Sequence, residues 1–220
     1  GLPHEEIVRG ALVAMNPKTG EIIAMASTPT FDQNIFTRRP SDPAMVTALL
    51  NDNTNLPMMN RSLEAFPPAS TFKLVTSSTL IESGFVSPAD RFSCSAYMTY
   101  GGRQWKNWSY PSHRGHYDTI EAIADSCNTY YWRAVMSTPN FQEGWADFAQ
   151  ALVSRAKEFG FGAPVGIGLI EEKAGRVPDN AWTQEYHGWS WRAGDTLNVS
   201  IGQGDALATP IQDLQMISTI

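Results

Sequence analysis

Positive charge, cysteine and long apolar runs are all scarce in this chain. Its 220 residues carry 16 Lys and Arg against 22 Asp and Glu, a net charge of -6, so there is no electrostatic footprint for nucleic acid. No stretch approaches the roughly 20 apolar residues that span a bilayer, and none reads as a signal peptide. Cysteine occurs only at Cys94 and Cys127. There is no internal repeat and no low-complexity tract. What is present is a globular composition: 42% hydrophobic residues and seven tryptophans argue for a folded chain rather than disorder. A chain of this length buries a sizeable core, and one domain is the simplest count.

Hydrophobic patterning orders the chain. Residues 11–27 read as two antiparallel strands, because Pro17 and Gly20 bracket two alternating apolar runs. Residues 28–69 are rich in Pro, Asn, Asp and Thr and read as loop, with one short helix near 44–50. A helix is expected over residues 70–83, with Gly84 as its left-handed C-terminal cap. Residues 85–117 are irregular and aromatic. Helices follow at about 119–125, 128–136 and 141–159, and residues 162–200 are loop-rich. Thr209-Pro210 opens a final helix as cap and first-turn proline.

The most informative stretch is Pro67-Pro68-Ala69-Ser70-Thr71-Phe72-Lys73. Two prolines end any preceding helix and set up the start of the next. Residues three apart on a helix share a face, so the Lys73 amine reaches the Ser70 hydroxyl. Burial or nearby positive charge lowers a lysine pKa, and the free amine then serves as a base toward Ser70. The helix N-terminus adds partial positive charge where an anionic intermediate forms. By themselves a serine and a lysine at this spacing decorate many solvated helix faces. The prolines and the apolar Leu74-Val75 weigh against that reading here. Fifty-six residues on, Asp125-Ser126-Cys127-Asn128 interrupts two helical runs. A serine and an asparagine two apart in such a break both reach into a cleft. Ser126 can relay a proton to or from a leaving amine. Asn128 can orient the lysine and donate to a substrate carbonyl. Standing alone, the tetrapeptide is an ordinary capped loop.

Together the two elements resemble the penicillin-recognising serine acyltransferases, which include penicillin-binding proteins and class A β-lactamases. The likeness extends along the chain. Asn16-Pro17-Lys18-Thr19-Gly20-Glu21 with Ile22-Ile23-Ala24-Met25-Ala26-Ser27 looks like the opening hairpin of a class B penicillin-binding protein transpeptidase domain. Gly202-Gln203-Gly204 followed by Thr209-Pro210-Ile211-Gln212 looks like a segment of the elongation type, the penicillin-binding protein 2 group. The resemblance implies an α+β transpeptidase fold, here mainly its helical subdomain plus the first sheet hairpin. It implies a peptidoglycan D,D-transpeptidase with Ser70 as nucleophile, Lys73 as base and Ser126 and Asn128 completing the site. No catalytic cofactor is implied. The implied partners are peptidoglycan stem peptides, β-lactam antibiotics and a SEDS-family glycan polymerase reached through other parts of the full-length protein. The implied location is the periplasmic face of the cytoplasmic membrane, anchored by a helix outside these residues. An inactive fragment or scaffold, a β-lactamase and a β-lactam sensor domain stay open as alternatives.

Lys18-Thr19-Gly20 matches the family's third signature in letters only. The family places that strand well after the second motif, whereas these residues precede the nucleophile and sit in a turn. On this reading residues 1–220 are a partial transpeptidase domain without the membrane anchor, the pedestal and the C-terminal sheet strands.

The cysteines admit three readings. An even count in an extracytoplasmic protein suggests a disulfide. The resemblance suggests a structural zinc, because some elongation-type members carry a ligand set in this loop. Cys94, His113 and Cys127 match that set, Asn107 stands at the remaining position, and His116 is a substitute ligand. Two reduced, buried thiols are the third reading. The expectation taken forward is zinc on Cys94, His113, His116 and Cys127, pinning the loop against the nucleophile helix.

Overall fold

The computed structural model describes residues 9–220. Strands β1 (Gly10–Met15) and β2 (Ile22–Thr28) form an antiparallel hairpin in which Gly10 faces Thr28 and Ala14 faces Ala24. The connecting turn is tied by Asn16, whose carbonyl accepts the Gly20 N–H at 2.9 Å and whose side chain accepts the Lys18 N–H at 3.0 Å. Gly20 has φ +74, which suits a residue without Cβ. Lys18-Thr19-Gly20 is therefore a hairpin turn, as its flanking Pro and Gly suggest.

Helix α1 (Pro43–Leu50) is capped by Asp42 and opens on a proline. The chain then reaches a 3-10 turn at Ala69–Phe72 that runs directly into α2 (Lys73–Glu82). Gly84, at φ +70, follows its last turn. The aromatic segment is more ordered than its sequence suggests. Strand β3 (Phe92–Cys94) pairs with β6 (Gly115–Tyr117), and β4 (Tyr97–Tyr100) with β5 (Arg103–Lys106). Each strand is three or four residues long, too short for an alternating pattern to register.

Helix α3 (Thr119–Ala124) starts at a capping box made by Asp118 and Glu121. Helix α4 (Asn128–Met136) follows after one short turn. The single helix expected over 141–159 is in fact a 3-10 turn at Phe141–Glu143 and then α5 (Asp147–Glu158). Gly144 makes the break: its φ is +80, and a Cβ there would lie 2.5 Å from the Trp191 carbonyl oxygen. The stretch read as loop-rich over 162–200 holds two helices, α6 (Asn180–His187) and α7 (Ala193–Val199). Helix α8 (Pro210–Ser218) begins at Thr209 with a capping box to Gln212, and it packs on β1.

The core lies where α2 packs against α4 and α5. Phe72, Val75 and Leu80 from the Ala69–Phe72 turn and α2 meet Tyr131, Phe148 and Leu152, all almost fully buried. Burying each such side chain is worth about 1.5–3 kcal/mol, so α2 and the turn carrying Ser70 are held on one face by packing. Two further ties bring the chain before α8 beside it. Phe66 exchanges backbone hydrogen bonds of 2.8 Å in both directions with Ala208, and Ala69 donates to Gly202.

Candidate active site

Ser70 lies in the 3-10 turn that becomes α2, with its side chain at the surface. The turn is unusual at Ala69, whose φ of +52 is a left-handed value that residues with a Cβ seldom adopt. Gly202 holds that conformation. Its carbonyl accepts the Ala69 N–H at 2.8 Å. The approach is so close that a Cβ on Gly202 would lie 2.1 Å from the Ala69 carbonyl oxygen.

Lys73 is 2% exposed. Its Nζ lies 3.1 Å from Ser70 Oγ, 3.0 Å from Ser126 Oγ, 2.8 Å from the Ser126 carbonyl oxygen and 2.6 Å from Asn128 Oδ1. Burial pushes the amine down to about 8, well below an ordinary lysine. Among the described residues no carboxylate is salt-bridged to it to hold the proton in place. The Ser126 carbonyl and Asn128 Oδ1 can only accept, so they take two N–H groups. A neutral amine then has one lone pair left, and it lies within reach of the Ser70 hydroxyl. Ser126 Oγ donates to Ser70 Oγ at 2.7 Å. Serine, lysine, serine and asparagine thus form one connected hydrogen-bond cluster open to solvent at Ser70.

The second motif is pinned from below by aromatic and polar side chains that sequence reading passed over. Ser126 has φ +50. Trp108 Nε1 donates to the Asp125 carbonyl at 2.9 Å, and Tyr117 Oη donates to Asp125 Oδ2 at 3.1 Å. Asn107 is buried, and its Oδ1 accepts the Asn128 N–H at 3.0 Å. Its Nδ2 donates to Ser109 Oγ at 2.9 Å and lies 3.7 and 3.8 Å from the sulfurs of Cys94 and Cys127. No motif announces this role; the only hint is an asparagine among aromatics.

The zinc expectation at Cys94, His113, His116 and Cys127 is corrected. Cys94 and Cys127 are joined in a disulfide with Cα atoms 6.0 Å apart. The bonded sulfurs are spent as thiolate ligands. Cys94 pairs with Gly115 and Ser93 with His116, so His116 projects to the opposite strand face from Cys94. His113 is exposed, and neutral Asn107 occupies the space beside the sulfurs. Among the described residues no group of three or more His, Cys, Asp or Glu is placed to hold a metal. The residues present do not fit a zinc ion. The disulfide performs the pinning instead, fastening β3 to the residue that caps α4.

A thermodynamic consequence follows for the closed loop, which spans a sequence separation of 33. Replacing both cysteines with serine is expected to cost about 3–4 kcal/mol, the chain-entropy value for a loop of that size. Urea unfolding of the double variant against the oxidised protein measures this. Unchanged stability, or stoichiometric zinc in the purified protein with two free thiols, would overturn the disulfide.

A serine and lysine one turn apart, crossed by a Ser-x-Asn turn, are the shared arrangement of the penicillin-recognising serine acyltransferases. The penicillin binding protein transpeptidase domain family matches residues 10–220, and the chain belongs to that family. Peptidoglycan D,D-transpeptidase MrdA of Salmonella typhimurium (strain SL1344) is 34% identical over 207 residues, covering 93% of this chain and 31% of that protein. A chain solved in a study of the structural coordination of polymerization and crosslinking by a peptidoglycan synthase complex superposes with a TM-score of 0.86 at 44% identity, covering 99% of this chain and 36% of that one. PBP2 of Pseudomonas aeruginosa, solved in complex with WCK 5153, gives a TM-score of 0.82 at 30% identity, covering 96% and 46%. The chain spans about a third of the length of the curated relatives it matches. Among the described residues no helix is long and apolar enough to cross a membrane.

Proposed function

We propose that the full-length protein carrying these residues is a peptidoglycan D,D-transpeptidase that works through an acyl-enzyme on Ser70. The observation that carries the reading is the buried Lys73 amine, 3.1 Å from the Ser70 hydroxyl and free of a salt-bridging carboxylate among the described residues. Ser70 Oγ attacks the carbonyl carbon of the penultimate D-alanine of a donor stem peptide while its proton passes to Lys73 Nζ. The Ser70 N–H donates to the developing oxyanion. The proton then moves from Lys73 through the Ser126 hydroxyl to the leaving nitrogen, the amide bond breaks and terminal D-alanine departs. An acceptor amine attacks the ester, its proton returns along the same relay, and Ser70 is released as the cross-link forms. Asn128 keeps the lysine aimed throughout. A β-lactam enters the same sequence, but its leaving nitrogen stays tethered in the opened ring, so the ester persists.

Relatives of the MrdA type support the reaction class. The neighbour from a peptidoglycan synthase complex that coordinates polymerization and crosslinking supports a glycan polymerase as a partner of the full-length protein, and the resemblance to the elongation type makes that polymerase one of the SEDS family. The reading carries with it action at the periplasmic face of the cytoplasmic membrane, where peptidoglycan is built.

A fluorescent penicillin tests the proposal. The full-length protein is expected to take up about one label per chain, stable for many minutes, given one activated nucleophile. Rapid loss of the label would make the protein a β-lactamase. Absence of any label would make it a scaffold.

A further inference from the structure

Ser70 is held on both sides by one downstream segment. Gly202 fixes Ala69 before it. Behind it stands Thr71, which meets Asp213 on α8. Thr71 Oγ1 lies 2.7 Å from the Pro68 carbonyl oxygen and 3.1 Å from Asp213 Oδ1. A hydroxyl has a single proton, and a carbonyl oxygen only accepts. If Thr71 gives its proton to Pro68, the contact with Asp213 is satisfied only by a proton on the acid. An ionised Asp213 instead competes with Pro68 for the one Thr71 proton.

We propose that Asp213 is a positioning residue for the nucleophile turn: protonated, it donates to Thr71 Oγ1 and leaves Thr71 free to close the turn onto Pro68. This rests on Ser70 being the nucleophile. The surroundings suit a neutral acid. Burial raises Asp213 to about 6, opposed by the Thr71 bond. Among the described residues, burial and the Thr71 bond are the influences on its carboxyl, with no neighbouring charge acting on it. β1 contributes only Gly, Ala, Leu, Val and Met, residues 69–72 are uncharged, and Lys73 turns its amine toward Ser126 and Asn128. An unfolded aspartate titrates near 3.9. Between about pH 4 and pH 6 the folded chain therefore holds a proton that the unfolded chain has lost, and stability falls as pH rises through that window. Above it, Thr71 is shared between two acceptors and the turn holding Ser70 loosens.

Two variants of the full-length protein separate the possibilities. Asp213→Asn keeps the shape and donates to Thr71 at every pH, whereas Asp213→Val removes the bond. Melting temperature and the penicillin acylation constant are measured from pH 4.5 to pH 8. The asparagine variant should melt with the wild type at pH 4.5 and a few degrees above it at pH 7.5. The ratio of its acylation constant to that of the wild type should rise severalfold through about pH 6. The valine variant should acylate at least about tenfold more slowly than the asparagine variant, because the nucleophile is then misplaced. A melting gap that does not change with pH, or asparagine and valine variants that acylate alike, overturns the positioning role and leaves Ser70 untouched. A wild type that never acylates overturns the functional reading instead, and the melting arm then still decides whether Asp213 donates to Thr71.

Discussion

Lys73→Arg should lose β-lactam acylation almost as fully as Lys73→Ala, by about a hundredfold or more, the usual range for removing a general base. Arginine keeps the positive charge that four oxygen atoms surround, so a purely electrostatic partner would survive the change. It does not surrender its proton near neutral pH. The wild type should show the complementary signature. Burial holds the amine at about 8, so the free base grows as pH rises. Acylation should climb roughly tenfold per pH unit below that value and level off above it. The acylation constant with a fluorescent penicillin, measured from pH 6 to pH 9.5, supplies both comparisons. Melting curves guard against simple unfolding, since Lys73→Ala leaves Asn128 Oδ1 and the Ser126 carbonyl without their donor. An arginine variant within tenfold of the wild type, or a flat pH profile, would remove the lysine from the role of base.

Among the described glycines, Gly202→Ala is expected to be the most damaging substitution. The added Cβ would sit 2.1 Å from the Ala69 carbonyl oxygen and 2.7 Å from its nitrogen, both backbone atoms that cannot swing away. Gly202 also has φ +70, which strains any side chain placed there. The turn presenting Ser70 must shift to make room. We expect a loss on the order of 3 kcal/mol in stability, the scale of a severe substitution with a named steric cause. We also expect about a hundredfold slower acylation, because a displacement near 1 Å costs that much in a positioned reaction. Gly204→Ala is the internal control. Its φ of +74 carries the same backbone strain, but its Cβ would meet only the Asn198 side chain, at 3.1 Å. The two variants should therefore differ by at least tenfold in acylation, measured side by side with urea unfolding. Equal effects would mean that the clash with Ala69 is relieved elsewhere.

The contrast between these two glycines shows where sequence reading reaches its limit. Gly202-Gln203-Gly204 stood out as a landmark, yet nothing in its letters says that the first glycine braces a left-handed residue far upstream. Local signals were legible. The three-residue spacing of Ser70 and Lys73, the Thr209-Pro210 cap and the Lys18-Thr19-Gly20 turn each depend on neighbours in sequence, and each is found where expected. Helix α6 was not legible because only Thr183 in it is buried, so it shows no apolar period. Helix α7 carries Gly194 and spans only Ala193–Val199. The short strands of the aromatic segment fell below the length at which alternation can be read, and the cysteine chemistry failed with them. Choosing between zinc and disulfide required the register of β3 on β6, which puts Gly115 opposite Cys94 and turns His116 to the other face. In sequence Asn107 shows only as the residue at the remaining zinc-ligand position, whereas its place is as the acceptor for the Asn128 N–H.

The proposed mechanism makes Ser70 the one nucleophile. Intact-mass spectrometry with peptide mapping, on the full-length protein after penicillin treatment, addresses it most directly. A mass increase of one penicillin, carried as an ester on Ser70, is expected, with no increase in Ser70→Ala. An adduct that persists in Ser70→Ala, or that maps to any other residue, would contradict it.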